Sequence, residues 1–180
     1  MKKFSSLLVA ILAIASAQAF AETKVDLKDS GQSQTGGLLN KQEADIGNVQ
    51  GKGKSNVTAE KVKQSQTGGL LNKQEMKIGN VKGDGKSNVT AKDVGQSQTG
   101  GLLNKQGMEL GNVEGKGTSN VKAENVKQAQ TGGLLNSQDM KMGNVKGGGK
   151  SNVTAKNVKQ SQTGGLLNKQ EMNVGNQSDK

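Results

Sequence analysis

Lysine, serine, aspartate and glutamate are the residues of this 180-residue chain that could carry chemistry. His and Cys are absent, which removes the usual general base, the thiolate nucleophile and the usual transition-metal ligands. A Ser–Lys pair is the conceivable catalyst that remains. These residues recur in every copy of a repeat, on turns or outward faces, whereas a catalytic site is a single cleft. The chain is therefore expected not to be an enzyme and to use no cofactor and no small-molecule substrate.

Two glycine-rich patterns invite a ligand. Gly-Lys-Gly at 51–53 and 115–117 suggests a phosphate cradle, and Gly83-Asp-Gly-Lys86-Ser87 and Gly147-Gly-Gly-Lys150-Ser151 end as a P-loop ends. The first glycine of Gly-x-x-x-x-Gly-Lys-[Ser/Thr] is missing and no helix is expected to follow, so these are turns. Calcium-binding repeats need Gly-Gly-x-Gly-x-Asp. The matching turn position holds Lys52, Asp84, Lys116 and Gly148, a single carboxylate in four copies. No metal site is expected.

What must position these residues is a repeat. Gln-Ser-Gln-Thr-Gly-Gly-Leu-Leu-Asn opens at Gln32, Gln64, Gln96 and Gln160, with Ala for Ser in the copy at Gln128. The repeat domain is thus 32–180: four full copies (32–63, 64–95, 96–127, 128–159) and a partial fifth (160–180). A constant period of 32 without insertion is what stacking requires, because a slip of one residue turns every strand side chain to the wrong face. Residues 22–31 form an N-terminal segment whose likeness to the repeat is limited to Val25, 32 before Val57.

Residues 1–21 read as an export signal: Lys2 and Lys3, the apolar run Leu7 to Ala15, and cleavage after Ala19 or Ala21. The run is too short to span a membrane, and no membrane insertion is expected elsewhere. Removing Lys2 and Lys3 lowers the formal net charge from +10 to +8. Cleavage after Ala21 also removes both Phe residues, leaving no aromatic, Cys or Pro. With 30% apolar residues overall, two states suit such a chain: disorder, or a fold held by backbone ladders and stacked polar side chains.

Each copy reads strand–turn–strand–turn, punctuated at Thr67-Gly68-Gly69 and Gly83-Asp84-Gly85. A second period of 16 relates the stretch Asn72–Asn80 to Asn88–Gln96. Along the first strand Asn72, Gln74, Met76, Ile78 and Asn80 share a face, and Lys73, Glu75 and Lys77 the other. In the second, Val89 and Ala91 have one parity and Val94 the other, which implies a bulge or no single buried face. The expected ladder residues are Gln64, Gln66, Asn72, Gln74, Met76, Ile78, Asn80, Asn88 and Val94, with each amide bonding its own copy above and below.

Charge tests the stacking. Successive copies carry Asp45, Lys77, Glu109 and Lys141 at one position, Glu60, Lys92, Glu124 and Lys156 at another, and Lys82, Glu114 and Lys146 at a third. Alternation is favoured when equivalent residues lie ~4.8 Å apart. Duplication of a 64-residue block does not account for it. Copies one and two differ at 7 of 32 positions, and the alternate pairs one–three and two–four at 8 and 7.

The Gln66-x-Gly68-x-x-x-Asn72 run with its regularly spaced Asn and Gln resembles the curlin repeats of bacterial functional amyloids. Gly-Gly-Leu-Leu-Asn-x-Gln is similar to the repeats of haemagglutinin-like β-helical adhesins. These resemblances imply secretion, assembly outside the cell and fibres of a biofilm matrix, with an outer-membrane secretion machinery or nucleator as partner. The fold expected is all-β, a β-solenoid with 32 residues per rung in parallel register. The function expected is self-assembly into extracellular fibres at the bacterial surface, with the chain itself as main partner. Lys also permits attraction to acidic polysaccharide or extracellular DNA, although DNA stacking platforms and Arg forks are lacking. The alternatives are a monomeric adhesin or surface-binding solenoid and a disordered Lys-rich periplasmic protein.

Overall fold

The computed structural model describes residues 21–36 and 39–178. The export signal expected at 1–21 lies outside them except for Ala21. The described chain is all-β and winds into five rungs. The first holds β1 (Ala21–Lys28), β2 (Gly31–Thr35), β3 (Leu39–Ile46) and β4 (Val49–Gln50), and the second β5 (Gly53–Glu60), β6 (Lys63–Thr67), β7 (Leu71–Ile78) and β8 (Val81–Lys82). The third holds β9 (Gly85–Lys92), β10 (Gly95–Thr99), β11 (Leu103–Leu110) and β12 (Val113–Glu114). The fourth runs through β13 (Thr118–Glu124), β14 (Lys127–Thr131), β15 (Leu135–Met142) and β16 (Val145–Lys146). The last is β17 (Lys150–Lys156), β18 (Lys159–Thr163), β19 (Leu167–Val174) and β20 (Gln177–Ser178).

Equivalent strands stack into four parallel five-stranded sheets, and every paired residue lies 32 from its partner. The result is a parallel β-solenoid. The segment before Gln32 belongs to it: β1 pairs with β5 over its whole length, with Val25 beside Val57.

Each rung has four strands with a corner between successive strands, where two strands and two turns were expected. The additional corners explain the parity problem. At Gly79 (φ +64°) and Asp93 (φ +54°) the backbone enters the left-handed region, which reverses which parity points inward. Ser87, Val89 and Ala91 face inward along β9, and beyond Asp93 the inward set becomes Val94, Gln96 and Gln98. One residue turns the corner, so neither a bulge nor an unburied strand is involved. Asp and Asn tolerate this conformation better than most residues. The 16-residue period has no structural counterpart: successive long strands begin 14 and 18 residues apart, at Leu71, Gly85 and Leu103. Asn72 is accordingly buried while Asn88 points outward.

Corners continue the rung-to-rung bonding. The Asp93 amide donates to Glu124 O at 3.0 Å and the Gly79 amide to Ile46 O at 2.7 Å. Buried Ser87 and Ser119 hydroxyls donate to the corner carbonyls of Gly79 and Gly111 at 2.5 and 2.6 Å. Within a rung the interior is divided. Val89, Ala91, Val94, Met108 and Leu110 belong to an apolar cluster, while Asn104, Gln96, Gln98 and Gln106 fill the remaining buried space with amides. A separate column of Val49, Val81, Val113 and Val145 packs behind the two-residue strands.

Two glycines of β11 and its corner give contrasting expectations. Gly111 has φ +62°, and an added Cβ would lie 2.6 Å from a Val121 methyl. Gly111→Ala should cost at least about 2 kcal/mol, since left-handed backbone alone costs ~1–2 kcal/mol. Gly107 sits in the strand with nothing closer than 4.0 Å to an added Cβ, so Gly107→Ala should stabilise by a few tenths of a kcal/mol up to about 1. Urea unfolding of the two variants measures both. Equal effects would refute the corner geometry.

Candidate functional site

The side chains with the most ordered chemistry are the amides. Three glutamine columns run the height of the solenoid. Gln64 Nε2 donates to Gln32 Oε1 at 2.8 Å and Gln96 Nε2 to Gln64 Oε1 at 2.7 Å. Gln98 donates to Gln66 at 3.1 Å, and Gln106 to Gln74 at 2.8 Å. Each column donates toward the first rung. The buried asparagine column runs the other way, with Asn72 Nδ2 donating to Asn104 Oδ1 and Asn104 to Asn136, both at 2.9 Å. The second amide hydrogen is used across the interior: Gln96 reaches Gly107 O at 3.1 Å and Gln106 reaches Ala129 O at 3.2 Å. Such one-directional chains polarise one another, and they satisfy polar groups whose burial without partners costs ~1–3 kcal/mol each.

The remaining expected ladder residues divide. Met76, Ile78 and Val94 are buried in the apolar cluster. Asn88 makes a ladder on the outside, donating to Asn56 at 2.7 Å and accepting from Asn120 at 2.8 Å. Asn80 departs from its expected face because Gly79 turns the chain before it. Its Oδ1 accepts the backbone amide of Asn112 at 2.7 Å, which pins the corner, while its Nδ2 is buried without a partner.

The charge columns lie in register. Lys77 is placed between Asp45 and Glu109, and Lys92 between Glu60 and Glu124. Glu109–Lys141 and Glu124–Lys156 are 4.0 Å apart, so these half-exposed pairs contribute at most about 1 kcal/mol each. Lys28 extends the second column to a fifth member beside Glu60. The closer pairs run along the strand: Glu75 meets Lys77 at 2.8 Å and Lys73 at 2.9 Å. Burial pushes the Glu75 carboxyl up, but hydrogen bonds from Lys77 and Lys73 outweigh it and hold the group at about 2. The same bond to Glu75 raises Lys77. Burial raises Asp45 against the pull of Lys77.

Sequence reasoning gave no role to the paired leucines. Leu70 and Leu71, with their equivalents Leu102, Leu103, Leu134 and Leu135, stand outward at 41–46% exposure. Beside them runs a groove of about 670 Å³, walled by the Leu71 column and the Lys73 column and floored by Asn72 and its copies. The signal was available: the Leu-Leu pair recurs in every copy immediately after a glycine corner.

Gln106→Glu tests the interior ladder. Ionised, a carboxylate there still accepts from Gln138 but has no proton for Gln74 Oε1. Burial raises its folded pKa above the ~4.3 of an unfolded glutamate. The folded state then holds the proton more tightly, so stability relative to wild type falls as pH rises through that window. The unfolding free energy from urea titration should be near wild type at pH 4 and lower by about 3 kcal/mol at pH 7, as for an unpaired buried charge. An equal loss at both pH values would contradict a buried ladder. In comparisons with known proteins, no family model, curated protein or solved structure matches the chain.

Proposed function

We propose that the chain is an exported structural protein that polymerises end to end into extracellular fibres of a bacterial biofilm matrix, as its likeness to curlin-type repeats implies. The observation that carries this reading is the state of the outer rungs. The outer backbone edges of β1 and β17 have no partner strand among the described residues. Met172 and Val174 are 40% and 39% exposed where Met108 and Leu110 are fully buried, and Gln162 Oε1 is buried without a donor.

A second copy supplies what is missing when its first rung follows the fifth at the same 32-residue offset. Gln34 then meets Gln162, Gln42 meets Gln170, and Val25 meets Val153. Met172 meets Ala44, beside a hollow lined by Leu27, Ile46 and Val62. Leu27 meets Ala155, so long side chains oppose short ones. Asn157 meets Asp29; its Nδ2 already donates to Asn125 Oδ1 at 3.0 Å, so its second amide hydrogen is the one left for the Asp29 carboxylate. One column opposes the junction, since Lys156 meets Lys28. Secretion machinery would carry the chain out of the cell, or a nucleator at the surface would start its polymerisation there. The outward lysines would draw the fibre to acidic polysaccharide or extracellular DNA.

Electron microscopy and pelleting of aged solutions test the reading. The expected result is fibres with strand signal, whereas a monodisperse folded monomer at all concentrations favours the surface-binding module and a persistent coil favours disorder. Growth should accelerate between low and physiological salt, because screening removes the Lys28–Lys156 repulsion and that of the +8 chains. Met172→Lys should fold with an unchanged circular dichroism spectrum, since its rung faces solvent, yet fail to elongate. Added in small amounts to wild type it should cap one fibre end and slow growth. Elongation at the wild-type rate would remove the fifth rung from the junction.

A further inference from the structure

The leucine ribbon is left unused by end-to-end stacking. It runs parallel to the solenoid axis, so stacking lengthens it without covering it. We infer that two such stacks pair laterally through this ribbon, with both stacks pointing the same way, the Leu71 ridge of each seated in the groove of the other. The inference rests on the end-to-end reading, because it concerns what the assembled stack does next.

Three observations choose a second copy as the occupant. First, the surface is ridge and groove side by side: the Leu71 column projects, and the groove between it and the lysine stems lies one residue further along the strand. A two-fold axis along the fibre brings each ridge over the other groove. A two-fold axis across the fibre brings ridge onto ridge, which is why the stacks point the same way. Second, charge agrees. Lys41, Lys73, Lys105 and Lys169 line the groove wall. In the parallel arrangement the two lysine rows fall on opposite flanks, their stems lie against the Leu70 column of the other stack, and their ammonium groups reach water. In the crossed arrangement the two rows would face each other. Third, the area explains why isolated chains can carry the ribbon. A five-rung chain is ~24 Å tall and the ridge with its groove ~10 Å wide, roughly 240 Å² against the ~800 Å² per partner of a standard interface. Three or four stacked chains reach that size. Lateral pairing is therefore a property of the stack, and single chains stay unpaired.

Mass per length from dark-field scanning transmission microscopy of wild-type fibres decides the matter. Two chains per five-rung rise of ~24 Å are expected, and one chain per rise overturns the pairing while leaving end-to-end stacking intact. A wild-type chain that forms no fibres removes both readings. The variant L39T/L71T/L103T/L135T/L167T keeps strand-forming residues at solvent-facing positions. It should still form fibres, at half the wild-type mass per length. Retention of two chains per rise would take the leucine ridge out of the contact, and a variant that folds without forming fibres would place the ridge in stacking, which also overturns the inference.

Discussion

Burying a glutamine requires a partner of matching shape for every hydrogen-bonding atom of its amide. In this solenoid the partner is another glutamine, 32 residues away, and each of the three columns repeats the arrangement through five rungs. The rest of the fold follows from that requirement. An amide can satisfy its copy only if the rungs stack without offset, so the period cannot vary. Corners must return the chain to the same place each time, so left-handed residues occupy fixed positions such as Gly79 and Asp93. The apolar residues are too few to fill the cross-section. They collect around Met108 and Leu110, and the amides complete the interior.

The stacking itself was legible because it is written in differences between copies as well as in identities. Identical Gln and Asn columns could arise from duplication alone, but alternating Lys and Glu at the positions of Lys77 and Lys92 has a physical reason only if those side chains are neighbours. The structure adds that the tightest ion pairs lie along the strand, Glu75 with Lys73 and Lys77. Two-residue spacing places these side chains on the same outward face, and that pairing could have been read as well.

The corners were harder to read because two of the four lack a glycine doublet. Asp93 carries its turn with an ordinary side chain, and its column holds Lys61 and Asn125 at similar φ. Nothing in Lys61 announces a left-handed residue. Missing that corner made Val94 look out of phase and gave the 16-residue resemblance a weight the fold does not support. Asn80 was misplaced for the related reason that Gly79 turns the chain just before it. The role of the leucines was hidden differently: an apolar pair suggests the core, and only the corner geometry turns both outward.

Repetition carries a hazard that the first and fifth rungs answer. In a stack of identical rungs, the contact between chains would be as strong as the contact within one, and growth could begin wherever two chains met. The first and fifth rungs are close copies of the others with selected departures. Ala44 stands where the column otherwise holds Met, Gln177 where it holds Val, and Lys28 would face Lys156 across a junction. In the proposed fibre Gln177 and Lys28 would weaken the contact between chains relative to the contact between rungs, while Ala44 leaves room for the opposing Met172. The solenoid can then close on itself as a unit while its outer rungs keep the same backbone edges and glutamine columns. In the proposed fibre, a junction weaker than the interior yet in the same register would separate folding from assembly, as an exported subunit would need.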